Sequence, residues 1–155
     1  CMAPNVDQLH VINHLTQQEV DERRNVLVES ARIARGEIQD VSSVSAEDMD
    51  ALIIPGGFGA AKNLSDFAVK GPEAQVHSQV QRLLEEMADR SKPIGALCIA
   101  PATLTRALSN RSPQVTIGND VGTAAAIESM GGGHTVCSVS DICVDEKNRI
   151  VTTPA

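Results

Sequence analysis

The sequence contains no tryptophan and no tyrosine, and only two phenylalanines, Phe58 and Phe67. Proteins that bind single-stranded nucleic acid stack bases on aromatic side chains, and this chain has no such platform. Its charge argues the same way. Twenty acidic residues against thirteen basic ones leave a net charge of -7, which repels phosphate backbones and anionic membrane surfaces. No apolar run approaches the roughly 18 residues that a membrane-spanning helix requires. No two of the four cysteines, Cys1, Cys98, Cys137 and Cys143, form a CxxC pair, which speaks against a structural zinc site. His10 and His14 stand four residues apart, but no HExxH motif accompanies them and Asn13 between them suggests a loop. The expectation is a protein with no metal, no nucleic-acid partner and no membrane partner.

With aromatics at 1%, the core must be built from Val, Ile, Leu, Met and Ala, and a hydrophobic fraction of 42% supplies enough of them. A chain of 155 residues suits one domain. An ordinary core of that size needs no disulfide framework, so the cysteines read as free thiols in a reducing compartment. The chain opens at Cys1-Met2-Ala3-Pro4 and stops at Thr152-Thr153-Pro154-Ala155, and it is read as an internal fragment of a longer polypeptide.

Strand-like and helix-like segments alternate along the sequence. Residues 21–35 read as a helix, acidic at the start, with Arg32 and Arg35 at the end and Gly36 as the stop. Ser45 with Asp48 three residues on reads as a cap on a short turn. Residues 51–54 are an unbroken apolar run closed by Pro55-Gly56-Gly57, the pattern of a strand buried on both faces of a parallel sheet. Residues 73–90 carry Val76, Val80, Leu83, Leu84 and Met87 on one helical stripe. Residues 93–97 form a second apolar strand, and a helix starts over 99–104 with Pro101 in its first turn. Residues 115–117 read as a third strand, neighbouring and parallel to 51–54 and 94–97. Residues 123–130 read as a helix stopped by Gly131-Gly132-Gly133. Residues 135–144 and 149–152 read as two strands joined by a turn over 145–148. Strand–helix–strand order with short apolar strands predicts an α/β doubly wound sheet.

The chemistry-bearing segment is Ile94-Gly95-Ala96-Leu97-Cys98-Ile99-Ala100-Pro101. A nucleophile between a strand and a helix sits on a sharp turn over the carboxyl edge of the sheet. Small residues are wanted in such a crowded turn, and Gly95, Ala96 and Ala100 provide them. The N-terminus of the following helix favours a thiolate at Cys98. A buried, inert packing cysteine is the competing reading. Pro55-Gly56-Gly57-Phe58-Gly59 is a second strand-to-helix turn, and backbone N–H groups at Gly56 or Gly57 could face an oxyanion formed on a carbonyl attacked by Cys98. It is neither a Walker loop nor a dinucleotide fingerprint. Two such turns at parallel strand ends are expected to share one crevice. Asp120 follows a strand end and is a weak further candidate for that crevice, with a cap or turn as its alternative. His134 reads as a solvated loop residue, and Cys137 and Cys143 as packing residues.

Several strings resemble a known family. Arg24-Asn25-Val26-Leu27 with Glu29-Ser30-Ala31-Arg32-Ile33, the run from Ile54-Pro55-Gly56-Gly57-Phe58-Gly59 through Ala60-Ala61-Lys62-Asn63-Leu64, Cys98-Ile99-Ala100-Pro101, and Val151-Thr152-Thr153-Pro154-Ala155 are similar to the ElbB glyoxalases. These belong to the PfpI branch of the class I glutamine amidotransferase-like superfamily, and the resemblance covers nearly the whole chain. It implies a flavodoxin-like α/β sandwich, residues 1–155 forming one such domain truncated at both ends, and usually a homodimer. It also implies a cofactor-free conversion of glyoxal or related small 2-oxoaldehydes to 2-hydroxy acids, with deglycation as a related activity. Cys98 matches the reactive cysteine of the family, and Gly56 and Gly57 match its oxyanion turn. The implied compartment is the cytoplasm for a bacterial source and the mitochondrion for a eukaryotic one.

The sequence departs from the superfamily pattern in its acid/base partner. Ile99 stands directly after Cys98, and Gly118-Asn119 stand where a later histidine is expected. The strand and helix that open family members, with an acidic residue close to the cysteine, would precede Cys1. The alternatives to an enzyme are a thiol redox sensor or binding protein, which needs only an accessible thiolate, and an amidotransferase partner subunit.

Overall fold

In the computed structural model, which describes residues 1–154, the chain forms two units, Cys1–Val44 and Ser45–Ala155. In the first, β1 (Met2–Ala3) is followed by a hairpin of β2 (Val11–Asn13) and β3 (Gln18–Val20), helix α1 (Val26–Ile33) and β4 (Gln39–Asp40). Strands β1 and β4 pair in parallel across α1, while β2 and β3 pair antiparallel. The loop expected around Asn13 is thus partly a strand. Asn13 closes the hairpin turn by accepting the amides of Leu15 and Thr16 at 2.9 and 3.4 Å.

Helix α1 is shorter than the 21–35 expected from charge. Its cap is Asn25, extended at φ -92° and ψ 133°, whose side-chain oxygen accepts the Val28 amide at 3.1 Å. Residues 24 and 25 are held extended by a bridge between Asp7 and Asn25 and by the Gln8 amide donating to the Arg24 carbonyl. The acidic residues before them therefore lie outside the helix.

The second unit opens on the expected cap. Ser45 accepts the Glu47 amide, Asp48 accepts the Ser45 amide at 3.1 Å, and the turn Ala46–Asp48 sits between them. In chain order there follow β5 (Leu52–Ile54), a π-helical turn (Ala60–Leu64), the short α2 (Phe67–Lys70), α3 (Ser78–Asp89), β6 (Ile94–Leu97), α4 (Ala100–Ala107), β7 (Gln114–Val115), α5 (Val121–Ser129), β8 (Gly133–His134), β9 (Cys143–Asp145) and β10 (Ile150–Thr153). Four strands form a sheet in the order β5-β6-β10-β9, the first three parallel and β9 antiparallel to β10. Strands β7 and β8 form a parallel pair. This is the flavodoxin-like α/β class read from the sequence.

One row of the four-stranded sheet is buried: Leu52, Ile54, Ile94, Ala96, Ile150, Thr152, Cys143 and Asp145. The alternate row, Ile53, Val151 and Val144, is exposed, and Gly95 lies in register between Ile53 and Val151. Helix α3 buries Val80, Leu83, Leu84, Met87 and Ala88, each large side chain contributing roughly 1.5–3 kcal/mol. Helix α4 is buried along its length except at Arg106. That burial is possible because its residues are small or hydroxylated, and the Thr103 hydroxyl pairs with that of Ser65 at 2.8 Å.

Four expectations are corrected here. The helix expected over 73–90 begins only at Ser78. Residues 74–77 run extended, because the Asp66 amide donates to the Gln75 carbonyl and the His77 amide to the Leu64 carbonyl. The strand expected over 115–117 is not a neighbour of β6; β10 occupies that place, and β7 pairs with β8. Of the strand expected over 135–144, only its last two residues are strand, as the start of β9, and residues 135–142 form none. Its middle turns on local polar bonds, the Ser138 hydroxyl donating to Asp141 at 2.6 Å. His134 is not a loop residue but lies in β8, and its Nε2 accepts the Ile117 amide at 3.3 Å.

Candidate functional site

Parallel pairing of β5, β6 and β10 sends the residues after each strand out of the same sheet edge. Those residues are Pro55-Gly56-Gly57 after β5, Cys98 after β6 and Pro154 after β10. Cys98 has φ +57°, a left-handed conformation that costs a non-glycine residue about 1–2 kcal/mol. It is held there because its amide donates to the Thr153 carbonyl at 3.0 Å on one side, while α4 begins two residues later on the other. The side chain is exposed. A strained, exposed cysteine on a strand-to-helix turn is the geometry of a nucleophile elbow.

The glycine turn lies directly against it. Gly56 has φ +84°, and a Cβ built there would overlap the Leu97 carbonyl oxygen and stand 3.0 Å from Cys98 Cβ. Only glycine permits this approach. Gly57 has φ +81° with open space where a side chain would project. Among the described residues, no backbone carbonyl accepts the amide of Gly56 or Gly57. The two turns that the sequence placed in one crevice are therefore in contact. Phe58 follows, 70% exposed, with the Lys62 ammonium 5.1 Å from its ring centroid. Lys62 belongs to the π-helical turn Ala60–Leu64, a rare conformation that concentrates at functional sites.

On the far side of β10, Gly118 at φ +101° packs against the Pro154 ring, and the Thr116 amide donates to the Thr152 hydroxyl at 2.8 Å. This strip brings Gly118 to the same edge. Asp120 does not join Cys98 chemically. Its carboxylate caps α5, accepting the Thr123 amide at 2.7 Å. Hydrogen bonds from the Thr123 side chain and backbone hold it below the usual carboxylate range, which makes it a poor proton acceptor at neutral pH. His134 is also apart. Its strand β8 pairs with β7, and β10 then intervenes before β6. Among the described residues no side chain hydrogen-bonds the Cys98 sulfur. Cys143 is buried, as a packing residue would be, whereas Cys137 is only half-buried.

The sequence profile of the DJ-1/PfpI family matches residues 16–154. The chain belongs to the DJ-1/PfpI family. That family lies in the class I glutamine amidotransferase-like superfamily, as the sequence strings implied. The chain is 49% identical to the human glutamine amidotransferase-like class 1 domain-containing protein 3, mitochondrial, over 99% of its own length and 60% of that protein's. It is 47% identical to the ES1 protein homolog, mitochondrial, of Rattus norvegicus with the same coverage. It thus spans about three-fifths of the length of the curated relatives it matches. A crystal structure of an isoprenoid biosynthesis protein with an amidotransferase-like domain from Ehrlichia chaffeensis superposes with a TM-score of 0.92 at 39% identity, over the whole of this chain and 70% of that one. A two-domain DJ-1/ThiJ/PfpI-like and ferritin-like protein from Anabaena variabilis shares the fold at a TM-score of 0.54 and 14% identity.

The sequence singled out Cys98, Gly56 and Gly57 as candidates but not the groups that support them. The Thr153 carbonyl that fixes the Cys98 amide and the Pro154 ring that seats Gly118 come from β10, and no local pattern near Cys98 announces them. The Lys62–Phe58 pair was within reach, since residues four apart on a helical stretch face the same side.

Proposed function

We propose that the protein is a cofactor-independent, glyoxalase-type enzyme that converts glyoxal or a related small 2-oxoaldehyde to a 2-hydroxy acid through Cys98, with deglycation as a related activity. The observation that carries this reading is the contact between the strained, exposed Cys98 elbow and the Gly56-Gly57 turn. The Cys98 thiolate adds to the aldehyde carbon and forms a hemithioacetal. The oxyanion produced in that step is received by the backbone N–H groups of Gly56 and Gly57. A proton then moves from the carbon bearing sulfur to its neighbour through an enediol, which makes a 2-hydroxy thioester. Water cleaves the thioester, releases the acid and restores the thiol. The step is an internal redox exchange between adjacent carbons, so no external oxidant or hydride is consumed. The ElbB resemblance and the DJ-1/PfpI membership support the class of reaction. A homodimer is the assembly we assign, and the mitochondrial names of two relatives favour that compartment for a eukaryotic source.

The absence of a hydrogen-bonded base beside the sulfur, among the described residues, favours a second reading: an accessible thiol that senses oxidants or binds a ligand without turnover. A panel of small 2-oxoaldehydes tested on the full protein and on Cys98→Ser separates the two. The enzyme reading predicts release of 2-hydroxy acid that Cys98→Ser abolishes. Peroxide-dependent modification of Cys98 with no turnover of any aldehyde supports the sensor reading instead.

A further inference from the structure

Away from Cys98, a hollow of about 470 Å³ lies between the outer face of α3, the extended segment before it and the end of α4. That volume is in the range of small-ligand sites. Arg106, the one residue of α4 that is not buried, lines it, as do Gln75, Gln81, Glu85, Ser109 and Asn110.

Arg106 is fixed but not satisfied. Its Nε–H donates to the Ala74 carbonyl at 2.6 Å, which orients the guanidinium plane. No other group among the described residues accepts from the two terminal amino groups, which are the end-on fork that grips a carboxylate with two parallel bonds. Glu85 lies on α3 and accepts one hydrogen bond, from the Gln81 side-chain Nε2 at 2.9 Å. Arg106 and Glu85 line the same hollow, and among the described residues no ion pair joins them. Two opposite charges held on separate helices, each tied to a neighbour of its own, leave room for a molecule that carries both complementary charges. The remaining polar walls are amides and a hydroxyl, which pair equally well with donors and acceptors.

We infer that this hollow binds a small zwitterion, an amino acid or a dipeptide, with its carboxylate on Arg106 and its ammonium group facing Glu85. A simple anion is disfavoured by Glu85 and by the chain's net charge of -7. A simple cation is disfavoured by Arg106. The site is independent of Cys98 and of the reaction proposed there.

The test is a titration of the 15N-labelled full protein with alanine and glycylglycine, with acetate and ethylamine as single-charge controls, followed by amide chemical shifts. The expected result is saturable shifts at Gln75, Gln81, Ser109 and Asn110 with at least one zwitterion, and none with either control. Glu85→Gln and Arg106→Gln are each expected to weaken binding about tenfold, the loss of one charge-assisted contact. Glu85 is exposed, so Glu85→Gln tests the site even if Arg106→Gln disturbs the packing of α4. The inference is overturned by no saturable shift, by acetate binding as well as the zwitterions, or by Glu85→Gln binding them as the parent does. The amino acid and dipeptide arms decide which of the two zwitterions the hollow prefers.

Discussion

Replacing Gly56 with alanine separates two costs that the site combines. The first is conformational: at φ +84° an alanine pays the left-handed penalty of about 1–2 kcal/mol. The second is steric. The new Cβ meets the Leu97 carbonyl oxygen, which is backbone and cannot rotate away, and stands 3.0 Å from Cys98 Cβ. Relieving that overlap requires a shift of the β6 end or of the glycine turn, at about 1–3 kcal/mol. The sum is roughly 2–5 kcal/mol, a large part of the 5–15 kcal/mol that holds a typical domain folded, and it corresponds to a fall in midpoint on the order of 10 °C. Gly57→Ala is the internal control. It has nearly the same φ, +81°, but nothing within 4 Å of the added carbon, so it carries the conformational cost alone, about 1–2 kcal/mol. Urea and thermal unfolding of the two variants beside the parent read the difference directly. If Gly56→Ala is no less stable than Gly57→Ala, the close approach of the two turns is wrong, and the shared crevice with it.

Other consequences are as direct. Cys98 is expected to react with iodoacetamide well before the buried Cys143 and before the half-buried Cys137, as followed by peptide mass spectrometry; earlier modification of either would remove Cys98 as the nucleophile. Asp120→Ala should cost about 1 kcal/mol of stability through loss of the α5 cap and leave the alkylation rate of Cys98 unchanged; a large loss of reactivity would return Asp120 to the site. Burial alone would raise the carboxyl of Asp145, but hydrogen bonds from the Asn148 side chain and from the Gln114 and Asn148 amides, helped by Lys147, outweigh it and hold the group below its ordinary value. A lowered folded-state value stabilises the protein above the ordinary carboxylate range and loses that contribution as pH falls through the folded value. Asp145→Asn is therefore expected to be less stable at pH 7 and to lose less stability on acidification, measured as the urea midpoint against pH; an acid profile parallel to the parent's would contradict this.

Much of the site was legible because its determinants are local. An apolar run ending in Pro55-Gly56-Gly57 and another ending in Cys98 each report a strand and the turn after it, although the strand at 51–54 is buried on one face and not on both as expected, Ile53 being exposed, and parallel strands must present such turns at one edge. The Ser45–Asp48 cap and the stripe on α3 are equally local. What was not legible is the order of strands in space. Nothing within residues 94–117 says that β10, formed by residues 150–153, inserts beside β6 and displaces β7. The Thr153 carbonyl that braces Cys98 follows from that insertion. Helix ends were misplaced for a related reason. The charge pattern over 21–24 resembles a first turn, but the tie from Gln8 to Arg24 and the Asn25 cap decide where α1 begins.

The most direct test of the account is covalent. Full protein quenched during incubation with glyoxal, digested and mapped by mass spectrometry, is predicted to carry a 2-hydroxyacyl adduct on the Cys98 peptide that disappears when the aldehyde is exhausted. Steady formation of 2-hydroxy acid by Cys98→Ser, or an adduct that accumulates on another cysteine while Cys98 stays free, would contradict it.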